Sequence, residues 1–97
     1  MTRRICRFTF GRGTDREPIE GQLARAIEIA EILHGSARVR LDAGYVMSED
    51  GSQLVLDATT TVGECIAQVL IGLLSRRLGE EHFSVECVEE AVESAGG

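Results

Sequence analysis

From Ala37 to Ala58 the chain alternates apolar and polar residues on both sides of an Asp-Gly pair, and this constrains the fold more than any other stretch. In an extended segment, Ala37, Val39, Leu41, Ala43, Tyr45 and Met47 share one side while Arg38, Arg40, Asp42 and Gly44 share the other. Asp50-Gly51 is a pair favoured in two-residue type I′ turns, where both central positions need positive φ. With those two residues as the turn, cross-strand partners have numbers that sum to 101, so Met47 faces Leu54, Tyr45 faces Leu56 and Ala43 faces Ala58. A slip of one residue would put Gln53, Val55 or Asp57 on the apolar side instead. The sequence therefore predicts a hairpin whose first strand covers residues 37–47.

The flanking segments supply two helices and two more strands. Residues 4–10 alternate, with Cys6, Phe8 and Phe10 on one face and Ile5, Arg7 and Thr9 on the other. After the loop 11–18, Ile19, Leu23, Ala26, Ile27, Ala30 and Leu33 recur at helical spacing, and Gly35 marks the stop after His34. Thr61-Val62-Gly63-Glu64 has the form of a capping box, which opens a second helix running to about Leu78. Its expected core side is Val62, Ile66, Val69, Leu70 and Leu73. Residues 82–89 alternate again, with Phe83, Val85 and Cys87 on one face. The acidic stretch 90–97 reads as a tail, continuing as one helical turn or fraying.

The order strand, helix, strand, strand, helix, strand is similar to the ferredoxin-like, split βαβ pattern of an α+β domain. That resemblance implies a four-stranded antiparallel sheet, in the order 4-1-3-2, with two helices on one face. The inward set would be Cys6, Phe8, Phe10, Val39, Leu41, Tyr45, Leu54, Leu56, Phe83 and Val85. It is a resemblance of pattern and singles out no family. With 97 residues the chain makes one domain, its core at about residues 4–89.

Charge narrows the function classes. Sixteen acidic residues against ten basic ones give a net charge of −6, which argues against broad attraction to nucleic acid or anionic lipid. Aromatics are also missing where base-stacking members of this fold class carry them, since Ile5, Arg7, Val55 and Asp57 occupy those faces. No apolar run approaches a membrane span, and Cys6, Cys65 and Cys87 form no C-x-x-C pair, so the expectation is a cytoplasmic protein with reduced thiols. No cofactor and no metal site is indicated.

Two features point toward function. Gly11-Arg12-Gly13-Thr14 leads to the first helix with Arg16 close behind, so Arg12, Gly13, Thr14 and Arg16 form a candidate site for a small anion. Arg16 stands where a dinucleotide fingerprint needs its third glycine, and a plain connection between strand and helix accounts for the same residues. The second feature is surplus apolar area. Ile71, Leu74 and Leu78 widen the second helix's apolar arc, and Ile29 and Ile32 lie on the outer flank of the first, suggesting an interface or deeper burial. The sequence reading is therefore a self-associating interaction or regulatory module, with a two-fold dimer favoured or membership of a larger assembly, and a small anion at the 11–16 loop. The alternative is a small enzyme or catalytic subunit acting on a phosphorylated or carboxylated substrate through Arg12, Arg16 and Arg7. No nucleophile or base stands at a motif spacing, and His34 and His82 lack partners in sequence, so the catalytic question stays open.

Overall fold

The computed structural model describes residues 2–91. The elements are β1 (Thr2–Phe10), α1 (Arg16–His34), α2 (Ser36–Asp42), β2 (Tyr45–Met47), β3 (Gln53–Asp57), α3 (Thr61–Arg77) and β4 (Phe83–Ala91), with a 3-10 turn at Glu80–His82. All strand pairs are antiparallel, in the order β2-β3-β1-β4. In the acidic tail, Glu90 and Ala91 extend β4 as strand, and residues 92–97 lie outside the described residues.

The expected two-helix, ferredoxin-like split βαβ plan is corrected. Counted from the β4 edge the neighbours are 4-1-3-2. The element plan nevertheless fails, because the described chain has three α-helices and its second strand shrinks to three residues. Residues 37–42, expected as strand, lie in helix α2. The reason lies in the hairpin arithmetic. Partners of residues 37–42 would be residues 64–59, and α3 starts at Thr61, so most of those positions are already helical. Backbone groups with no strand to pair with must find partners locally, and a helix supplies them. Arg38 and Asp42 add an i,i+4 ion pair at 3.7 Å. Only Val39 of α2 is buried, whereas Leu41, expected inside, is 80% exposed.

The hairpin register is as expected, with Met47 opposite Leu54 and Tyr45 opposite Leu56. Ala43, expected to face Ala58 across the strands, instead follows the last turn of α2. The turn chemistry also differs. Ser48 N–H donates to Gln53 O, and Gly51 N–H donates to Ser48 O, so the loop is longer than two residues. Gly51 takes φ +73° while Asp50 keeps a negative φ, which excludes type I′. Asp50 works through its carboxylate, accepting from the Ser52 N–H and from the hydroxyls of Ser48 and Ser52.

The core lies between the sheet and the helices. Phe8, Leu54 and Leu56 from the strands meet Ile19 from α1 and Ile66, Leu70 and Leu74 from α3, all essentially inaccessible. Burying each such side chain contributes about 1.5–3 kcal/mol. Cys6, Phe10 and Val39 are buried as expected, Phe83 and Val85 are half-buried, and Tyr45 is exposed. The cap of α3 is one residue earlier than expected: Thr60 Oγ1 accepts from Gly63 N–H at 3.0 Å. The reading of three reduced thiols is corrected for two of them. Cys6 and Cys87 face each other across β1 and β4 and form a disulfide, leaving Cys65 as a half-buried free thiol. The sequence reading sets both on the inward faces of neighbouring strands, as small buried hydrophobes, and the β1–β4 register brings them directly opposite each other.

Candidate functional site

A groove of about 530 Å³ between α1 and β2 combines an apolar floor with polar groups. Helical spacing puts Glu20, Leu23, Ala24, Ile27, Glu28 and Glu31 on adjoining faces of α1, and Tyr45 and Met47 face them from the sheet. The groove exists because β2 is the edge strand on this side and, among the described residues, no element covers the gap between sheet and helix beyond it. At one end Arg16 is held by Glu20, Nε to Oε1 at 2.6 Å, while its Nη1 donates to Glu49 O at 3.1 Å. This pins the start of α1 to the hairpin loop and offsets the charge of Glu20. Among the described residues Glu28 and Glu31 form no ion pair, although Glu31 accepts a hydrogen bond from the Ser36 hydroxyl. The rim is therefore acidic.

The loop 11–16 is distributed differently from expectation. Arg12, Gly13 and Thr14 line a shallow depression of about 380 Å³, which Arg77 from the end of α3 and His82 join, along with Asp15, Pro18 and Leu78. Arg16 lines the groove instead, so the two arginines expected together serve different depressions. Gly11 N–H donates to His82 O and Thr14 N–H to Gly11 O, tying the loop to the segment before β4. Arg77 and His82 were missed because the sequence gives no measure of how the end of α3 returns toward the first loop.

The apolar candidates also separate. Leu74 is fully buried in the core, and Ile71 and Leu78 are half-buried against it. Ile29 is half-buried and Ile32 is 82% exposed. Of the six large apolar side chains exposed among the described residues, five fall between positions 32 and 46: Ile32, Leu33, Leu41, Tyr45 and Val46. They belong to the end of α1, to α2 and to β2.

Two carboxylates are shifted, both downward. Asp50 is lowered from 3.8 to about 2, first by the Ser52 N–H and then by the Ser52 and Ser48 hydroxyls. Asp57 is lowered chiefly by its side-chain hydrogen bond with Thr59, with the Thr59 N–H and Arg3 adding to the effect against partial burial. Both serve turns and lie outside the groove lining. No group of three His, Cys, Asp or Glu gathers in metal-binding geometry among the described residues. No helix there is long and apolar enough to cross a membrane. Compared with known families and with curated proteins, the chain matches none.

Proposed function

We propose that the chain is a non-enzymatic interaction module that engages other polypeptides, including its own copies, through the side of the molecule built by the end of α1, α2 and β2. One observation carries this reading: exposed apolar residues concentrate between positions 32 and 46. Scattered exposed apolar residues are ordinary, while a concentration on a small domain marks a contact surface. Self-association uses Ile32, Leu33 and Leu41, and a two-fold dimer is the simplest closed form. Sedimentation velocity across a wide concentration range tests it. A dimer that Ile32→Asp with Leu41→Asp converts to monomer is expected, and a strict monomer at every concentration removes the self-association.

A small-anion site at the 11–16 loop is a second reading, supported by Arg12, Arg77 and His82 meeting beside Gly13 and Thr14. Phosphate is then expected to raise the melting temperature, and Arg12→Ala with Arg77→Ala to abolish the rise; no rise in the parent leaves the loop as a connection. Nucleic acid is not proposed as a partner, given the net charge of −6. The cytoplasm expected from the sequence would keep Cys6 and Cys87 as thiols, whereas they are paired as a disulfide, so the proposed location is an oxidising compartment. Alkylation before cell lysis reads their state, and a pair open to the reagent would contradict that location.

A further inference from the structure

We propose that the groove between α1 and β2 binds an extended, basic segment of a partner polypeptide, which joins the sheet as a fifth strand beside β2. The inference rests on the reading as an interaction module but not on self-association.

The backbone of β2 is prepared for such an addition. Asp57 N–H donates to Gly44 O and Ser48 N–H donates to Gln53 O. In an antiparallel pair, bonded positions alternate, so Gly44, Val46 and Ser48 turn their polar groups toward β3. Tyr45 and Met47 then turn theirs toward the open edge. A strand laid along that edge pairs with these groups, the mode called β-augmentation.

Side chains fix what kind of segment fits. Tyr45 and Met47 stand opposite the buried Leu56 and Leu54 and so lie on the core face of the sheet. Every second side chain of an added strand enters the groove on that same face, over Leu23, Ala24 and Ile27. An apolar side chain covers this floor. Glu28 and Glu31 then meet side chains at the rim, and two carboxylates without ion pairs among the described residues select Arg or Lys there. A second copy of the chain is the poorer occupant, because it would bring its own Glu28 and Glu31 against the same rim. The opposite edge of the sheet differs in kind. The glutamates of β4 already face arginines of β1, with Glu86 opposite Arg7, Glu89 opposite Arg4 and Glu90 opposite Arg3.

The test uses the full chain and random octapeptides displayed on phage, with selected sequences then measured as free labelled peptides by fluorescence anisotropy. Selected peptides are expected to carry apolar residues together with Arg or Lys at every second position, the set whose side chains enter the groove. Glu28→Gln with Glu31→Gln, both changes to rim residues of α1, is expected to weaken them about tenfold or more. Methylating alternate backbone nitrogens of the peptide is expected to abolish binding, because strand pairing needs those N–H groups. Peptides without basic residues, affinity unchanged in the double variant, or no saturable binder at all would each overturn the proposal. Self-association is read separately by sedimentation, so either idea can fail while the other stands.

Discussion

Gly63 shows how one residue limits the packing of α3. A Cβ at that position would run into the carbonyl oxygen of Asp57, a backbone atom at the end of β3 that cannot step aside as a side chain would. The helix approaches the strand end this closely because Thr60 caps it immediately after the sheet ends. Gly63→Ala is therefore expected to destabilise the fold by about 1–3 kcal/mol or more, read as a lower urea midpoint, even though Ala is the better helix former. A neutral or stabilising effect would contradict the packing. Asp50 gives a pH dependence. Its folded value of about 2 lies below its ordinary 3.8, so its contribution is present above 3.8 and is lost as pH falls through about 2. Carbon-detected titration of the Asp50 carboxyl should find a midpoint near 2, and a midpoint near 3.8 would show that its hydroxyl and amide partners are absent in solution.

At the scale of elements, the β1–β4 register sets arginines opposite glutamates. Arg7 faces Glu86, so reversing either one sets like charges opposite each other. Arg7→Glu or Glu86→Arg alone is expected to cost up to about 1 kcal/mol, and the double swap to restore most of it. Additive losses in the double variant would mean that the pair does not interact. The elements were unevenly legible. β1, α1, α3 and β4 follow clear periodicities and end within a few residues of where those periodicities stop. The segment 37–42 misleads because Ala-Arg-Val-Arg-Leu-Asp alternates perfectly while also containing good helix formers, and a short run does not distinguish the two periods. The conflict was nonetheless present in the sequence, since a long hairpin and a helix from Thr61 claim the same residues.

For the molecule as a whole, replacing a long second strand by α2 decides where function is proposed. A strand over residues 37–47 would have been far longer than β3, whereas the three residues of β2 leave a short edge beside an uncovered flank of α1. The groove was hardly legible beforehand. Glu20, Ala24, Ile27 and Glu31 share a flank at helical spacing, but only the position of β2 makes that flank a wall. Amide hydrogen exchange followed by NMR on the monomeric protein tests this arrangement most directly. Val46 is expected to be protected, Tyr45 and Met47 to exchange quickly, and residues 39–42 to show helical Cα shifts. Slow exchange at all of Tyr45, Val46 and Met47, or extended shifts over residues 39–42, would mean that the edge is covered or that the hairpin is long, and would contradict the account.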